Sequence, residues 1–437
     1  MGNELIILIM VASLLCALIF GLPLAVGLGG VALIFTYFNW GVSGFYAAAS
    51  ACISQSTNEI LLAVPLFIFM GNMLRYSNIA DEIYDMMYRT LGAVKGGLAI
   101  GTVIVCAIFA AMAGIAAVAT ITMGLVALPS MLKRNYNKHL AVGCIAAAGG
   151  LGILIPPSVT MILYALLAQL SVGKLFAAGM IPGILLAILY CIYIFIRAEM
   201  DPVYAPALPQ EERPSFKEIF ISFKALIWPI IIILLVLGTI YGGVCTPTEA
   251  AAMGALGTVI AVIIKGNFTW KVLSEASSAT LKITCMAMWI VIGGTIFSAI
   301  FNALGAQKIM LDLAAGLPGG RWTVFVIFQI LYFFLGCFLD PTAIVLICTP
   351  IFHPIAAALG FDPIWFATIF IINMQMAYIT PPFGYNLFYM RSVVPPDVTM
   401  KDIYISVLPF IVIIVICLLI VTMFPQIILW LPNMMIK

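Results

Sequence analysis

Gly152-Ile153-Leu154-Ile155-Pro156-Pro157-Ser158 and, further on, Ala377-Tyr378-Ile379-Thr380-Pro381-Pro382-Phe383-Gly384 each put two consecutive prolines in the middle of a long apolar stretch. Each ring removes an N–H donor and clashes with the carbonyl one turn back, so neither stretch can be a continuous helix. The chain around them is 64% hydrophobic and 8% charged with a mean hydropathy of +1.21, which excludes a water-soluble fold and predicts an all-α polytopic membrane protein. Peptide groups freed inside hydrocarbon cost several kcal/mol each unless something satisfies them, so broken backbone at that depth lines a cavity or binds an ion. Two such breaks in corresponding halves of a chain are the pattern of a carrier's binding site.

Working outward, apolar runs of about 20 residues, enough for about 30 Å of hydrocarbon, fall near 4–20, 22–38, 60–76, 140–168, 176–197, 226–243, 247–264, 281–302, 363–390 and 403–423. The first run carries Glu4 and no basic leader, and a second apolar run follows directly after Pro23, so it is read as a retained helix rather than a cleaved signal. With the amino terminus outside, all of the 19 Lys and Arg except Lys174, Lys308, Arg321 and Lys437 fall in cytoplasmic loops. That bias fixes the orientation by the positive-inside rule and puts both termini on the outer side.

The one sustained polar segment, 198–224, divides the chain into halves 1–197 and 225–437 and ends in Ser215-Phe216-Lys217-Glu218, the spacing of a capping box. Sliding the second half back onto the first pairs Pro129 with Pro354, Pro156-Pro157 with Pro381-Pro382, and Tyr164 with Tyr389 without a gap. Five crossings in the first half invert the second half relative to it. Between crossings, Gly97 to Gly114 and the return from Ala116 toward Pro129 have basic residues at both ends, Lys95 and Lys133-Arg134, which predicts a re-entrant hairpin over about 96–130. Its counterpart runs from Gly319-Gly320 through Phe338-Leu339-Asp340-Pro341 over about 320–357, and the broken helices lie at about 140–168 and 363–390. Segments 42–57, 78–92 and 266–280 are mixed and amphipathic and are expected to lie in the interface.

Hairpin tips and helix breaks supply main-chain oxygens that suit Na⁺ and helix N-termini that suit a carboxylate. The expected cation ligands are carbonyls at Ala110, Ala113, Gly114, Gly152, Ile155 and Pro157 in the first half, and at Gly336, Asp340, Ala377, Thr380 and Pro382 in the second. The competing reading makes these breaks packing kinks. Asp340-Pro341 and Asp362-Pro363 also read as N-caps followed by proline at the first helical position, and Thr246-Pro247-Thr248-Glu249 and Ser56-Thr57-Asn58-Glu59 as helix starts. Ser158, Tyr385 and Asn386, beside the breaks, are the polar groups expected at the substrate, with an interhelical hydrogen bond the alternative for Tyr385 and Asn386. The ten cysteines form no C-x-x-C pair and read as small buried hydrophobes; His139 and His353 read as solvated or helix-end residues. No nucleophile, base and orienting group occur together, so no enzyme is expected.

The stretches Leu62-Ala63-Val64-Pro65-Leu66-Phe67, Gly152 to Ser158, Ala178-Gly179-Met180-Ile181-Pro182-Gly183, Thr246-Pro247-Thr248-Glu249-Ala250-Ala251 and Thr380-Pro381-Pro382-Phe383-Gly384-Tyr385-Asn386 together resemble the large, M-type membrane subunit of tripartite ATP-independent periplasmic (TRAP) transporters. The resemblance implies an elevator-type, Na⁺-driven carrier in the bacterial inner membrane. It also implies a small four-helix membrane subunit, a periplasmic binding protein that delivers an organic acid, and no nucleic-acid partner. One stretch departs from that pattern: where the family carries a serine-rich first tip, this chain reads Ala110-Ala111-Met112-Ala113-Gly114-Ile115-Ala116-Ala117. Rival readings are a stand-alone Na⁺/carboxylate symporter, a non-transporting assembly subunit or a channel.

Overall fold

A computed structural model describes residues 2–77 and 79–435, so Lys437 of the outer-side set lies outside the described residues. Every regular element among them is helical. Among the described residues nine helical stretches are long and apolar enough to cross a membrane. Seven coincide with expected crossings: Leu24–Ser56, Glu59–Tyr76, Val172–Met200, Phe216–Tyr241, Pro247–Ile264, Trp270–Ala303 and Met400–Met423. The other two, Ala116–Lys133 and Pro341–Ala358, are the return arms of hairpins. The expected crossings missing from that set are short, Asn3–Ile19 at 17 residues, or interrupted at a proline doublet.

One order of elements occurs twice. Hairpin arms Gly97–Ala113 and Ala116–Lys133 precede the interrupted helix Lys138–Gly149/Val159–Ala168 and the long helix Val172–Met200. Arms Gly320–Gly336 and Pro341–Ala358 precede Pro363–Ala377/Tyr385–Arg391 and Met400–Met423. Each first arm starts behind a glycine in the left-handed region, Gly96 at φ 72° and Gly319 at φ 96°, where an L side chain would be strained. The expected caps form: Asp340 accepts from Thr342 N at 2.9 Å, Asp362 from Trp365 N at 2.9 Å, and Thr246/Glu249 and Ser215/Glu218 close capping boxes. At 56–59 the start is simpler than expected, since Asn58 Oδ1 alone accepts from Ile60 N and no box closes.

Loops that the charge pattern groups together also meet in space. Lys95 pairs with Glu199 at 2.9 Å, Lys138 with Asp402 at 2.8 Å, Arg134 with Glu212 and Lys265 with Glu82. At the other end Thr248 Oγ1 donates to Glu59 O at 3.2 Å, and Arg321 lies 5.4 Å from the Phe361 ring centre.

Two amphipathic segments differ from expectation. Ile79–Leu91 does not lie free in the interface: Ile79, Ala80, Ile83, Tyr84, Met86 and Met87 are buried, packed on the first arm of the first hairpin. Period alone shows an apolar stripe without saying whether protein or lipid covers it. Segment 266–280 is mostly the start of one 34-residue helix, Trp270–Ala303, which packs along Leu24–Trp40. Helices Ala306–Ala315 and Gln426–Met434 were outside the expected set. The cysteines are all free; Cys106, Cys144, Cys337, Cys348 and Cys417 are buried as expected, whereas Cys16 and Cys285 are exposed.

Candidate functional site

Each hairpin turn docks on the proline break of its own half. In the first, Gly114 takes φ 68° and Ile115 is extended, which reverses the chain in two residues. The Gly114 carbonyl accepts from Val159 N at 3.2 Å, just past the break. The approach is too close for side chains: a Cβ on Gly114 would lie 2.8 Å from Pro157 O, and one on Gly152 would lie 2.9 Å from Ala116 N. Gly71, on the neighbouring helix Ala63–Tyr76, meets Ala113 at a similar distance from the other side. In the second half, Cys337 O accepts from Phe383 N at 3.2 Å, and a Cβ on Gly336 would lie 2.0 Å from that of Ala377. Both Pro-Pro bonds are cis.

The expected cation ligands divide into two groups. Carbonyls of Ala110, Gly114, Asp340 and Ala377 accept from Gly114, Val159, Ile344 and Thr380 N–H groups, and Pro382 O accepts from Tyr404 OH at 2.7 Å. Among the described residues no protein donor reaches the carbonyls of Ala113, Gly152, Ile155, Pro157, Gly336 or Thr380. These six cluster at the two tip-to-break junctions. Buried main-chain oxygens are rarely left unpaired, so the junctions are candidate positions for a cation or an ordered water. No group of three or more His, Cys, Asp or Glu side chains stands close enough among the described residues to hold a metal.

Of the three residues expected at substrate, Ser158 is fully buried and already used: its Oγ donates to Ile153 O at 2.6 Å and accepts from Met161 N at 3.4 Å, capping the second half of the broken helix. Asn386 is also fully buried. Its Oδ1 accepts from Thr120 Oγ1 at 2.7 Å, and its Nδ2 donates to Ala146 O, so it bridges the first hairpin and first broken helix to the region past the second break. The amide orientation follows from its partners, because a carbonyl can only accept. Tyr385 is 37% exposed, next to Phe383 and Phe388, and its hydroxyl makes no hydrogen bond among the described residues. The first tip is closed over, with Ala113 fully buried, whereas at the second junction Phe338 is 56% and Phe383 47% exposed, their rings 6.2 Å apart.

Gln375 was not singled out from sequence. It is fully buried, its Nε2 donates to Ala147 O at 3.1 Å just before the first break, and the amide lies against Gly150. Its Oε1 has no hydrogen-bond partner among the described residues. The available signal was a pair of amides, Asn373 and Gln375, in the otherwise largely apolar Pro363–Ala377. His353 is neither solvated nor at a helix end: it is buried within Pro341–Ala358, its Nδ1 3.0 Å from the Tyr164 hydroxyl. His139 lies in the first turn of Lys138–Gly149, half-buried, with Nδ1 3.3 Å from Ser406 Oγ.

Two hairpins docked on two interrupted spans are the architecture of a polytopic membrane transporter. The chain belongs to the family of the tripartite ATP-independent periplasmic transporter DctM component, whose profile matches residues 11–427. It is 35% identical over 384 residues to the C4-dicarboxylate TRAP transporter large permease protein DctM of Pseudomonas aeruginosa, covering 86% of this chain and 87% of that one. It is 30% identical to the ectoine large permease TeaC of Halomonas elongata, covering 98% and 99%. Identity to the sialic acid large permease SiaM of Vibrio cholerae is also 30%, covering 95% of each. Its fold is similar to the crystal structure of the Alcanivorax borkumensis YdaH transporter, with a TM-score of 0.64 at 13% identity over 94% of this chain and 97% of that one.

Proposed function

We propose that this chain is the transport subunit of a Na⁺-coupled importer in the bacterial inner membrane, taking an organic acid from a periplasmic binding protein and working with a small membrane subunit. The observation that carries this reading is the set of six unpaired carbonyls at Ala113, Gly152, Ile155, Pro157, Gly336 and Thr380, gathered where hairpins meet breaks. Na⁺ held there satisfies oxygens that otherwise destabilise the buried junctions, so ion binding and closure of the tips are one event. Already paired carbonyls keep a second lone pair, so Ala110, Gly114, Asp340, Ala377 and Pro382 complete the coordination. Na⁺ charge and the N-terminus of Val159–Ala168 both favour a carboxylate nearby.

The two halves are read as inverted repeats, 1–197 and 225–437, joined by the cytoplasmic linker 198–224, with both termini in the periplasm. Hairpins and broken helices form one unit, held internally by the Asn386 bridge and the Gln375–Ala147 bond, and its rigid displacement against the remaining helices gives alternating access of the elevator type. Dicarboxylates, sialic acid and ectoine, the substrates named for relatives of nearly equal identity, all carry a carboxylate, which supports the class but not one compound.

The test is uptake of labelled C4-dicarboxylates and sialic acid into proteoliposomes holding this chain and its small subunit, with and without the binding protein. Uptake that needs an inward Na⁺ gradient and the binding protein is expected. Uptake without that protein would make the chain a stand-alone symporter, and Na⁺-independent currents would make it a channel.

A further inference from the structure

A second site stands apart from the tip-to-break junctions, on the face where Lys and Arg gather. A cavity of about 430 Å³, within the usual size of ligand pockets, opens between Lys138–Gly149, Val172–Met200, Met400–Met423 and the linker. Its polar wall is Arg197, Tyr204, His139 and Ser406; its apolar wall includes Tyr193 and Phe410, whose rings lie 5.3 Å apart. Arg197 lies over the Tyr204 ring at 4.7 Å, yet no carboxylate stands within 4.0 Å of it and it donates no hydrogen bond among the described residues. Beside it Lys138 is paired with Asp402 at 2.8 Å, His139 Nε2 lies 4.0 Å from the same carboxylate, and Asp201 follows one turn after Arg197. The cavity therefore presents one ring-oriented guanidinium fork with no ion-pair partner within 4.0 Å, the group that best matches a phosphate oxygen pair.

The rim says what carries the phosphate. Ile405 on the cavity edge is exposed, and Ile192 and Ile196 continue an exposed apolar strip beside Arg197 on its own helix. A soluble anion has no use for that strip, whereas an acyl chain does. We infer that the cavity binds the phosphodiester headgroup of an anionic phospholipid from the adjacent leaflet, with Arg197 on the phosphate and the acyl chains along Ile192, Ile196 and Ile405. Basic pockets between membrane helices hold such headgroups by this combination of charge and apolar rim. The site joins the start of the first broken helix to the linker, so its occupant ties these two elements together.

The experiment uses the full purified chain in mild detergent, measuring lipid binding by native mass spectrometry and thermal shift. The probes are dioleoylphosphatidylglycerol, dioleoylphosphatidylcholine and inorganic phosphate. Phosphatidylglycerol is expected to bind at least tenfold more tightly than phosphatidylcholine, to resist displacement by millimolar phosphate, and to weaken as salt is raised. Arg197→Gln is expected to remove most of that preference and Arg197→Lys, which keeps charge but not the fork, to remove part of it; Lys217→Gln, in the helix Phe216–Ser222, should leave it intact. Equal binding of the two lipids, an unchanged preference in both Arg197 variants, or ready displacement by inorganic phosphate would overturn the assignment.

Discussion

Replacing Gly336 by alanine tests the docking of the second hairpin. The new methyl would stand 2.0 Å from Ala377 Cβ, while its next neighbours, Ala377 Cα and Ile344 Cδ1, are at 3.4 and 3.6 Å. Carbon atoms settle near 3.5–4.0 Å apart, so the tip must retreat by about 1.5 Å. That retreat stretches the 3.2 Å hydrogen bond from Phe383 N to Cys337 O beyond its useful range and pulls apart the Gly336 and Thr380 carbonyls. Overpacking of this kind costs about 1–3 kcal/mol. Removing the opposing methyl relieves it: Gly336→Ala combined with Ala377→Gly leaves only ordinary contacts, at a helix-propensity cost of about 0.5–1 kcal/mol. Thermal stability and Na⁺-dependent uptake of the parent, both single variants and the double form a mutant cycle, with a coupling of about 1–3 kcal/mol expected in favour of the double. A Gly336→Ala protein that transports like the parent, or a double variant no better than Gly336→Ala, would refute the docking.

Three further outcomes follow from the same geometry. Asn386→Leu removes two hydrogen bonds and strands Thr120 Oγ1 and Ala146 O, so the unfolding free energy should fall by roughly 1–4 kcal/mol, with Thr120→Ala costing less; denaturation of the purified variants reads it. Ala113→Ser should change Na⁺ affinity less than threefold by titration, since main-chain oxygens are the expected ligands; a tenfold gain would give that role to hydroxyls. Arg134 holds the Glu212 carboxyl below the usual carboxylate range, chiefly through their hydrogen bond. A depressed folded-state pKa gives stability that is present above the unfolded value and lost as pH falls through the folded one. The parent should therefore melt slightly above Glu212→Gln at neutral pH, and the gap should narrow only once the pH falls below about 4.5; no gap at neutral pH, or one that begins to narrow well above that, would argue against the pair.

Much of this architecture is legible because helix breakers are local. A proline doublet ends a helix wherever it falls, a Gly-Gly pair permits the left-handed start of a hairpin arm, and Thr246 with Glu249 closes a capping box by spacing alone. What escaped depends on partners distant in sequence. The apolar stripe of Ile79–Leu91 is covered by the first hairpin, and nothing in its own residues says so. Lys271, Glu275 and Lys282 interrupt the apolar run that Trp270–Ala303 continues as one helix. Asn386 was legible as a polar group beside the second break, but its bridge to Thr120 and Ala146 joins positions more than two hundred residues apart. His353 read as solvated or helix-end because its partner, Tyr164, belongs to the other half.

The central claim is that main-chain oxygens at the two junctions hold Na⁺. A density map of the purified chain in lipid nanodiscs, determined once in Na⁺ and once in choline, tests it most directly. The account predicts ion density against the carbonyls of Ala113, Pro157, Gly336 or Thr380 that is present in Na⁺ and absent in choline. Identical maps in the two salts, or unbroken helix through either proline doublet, would contradict it.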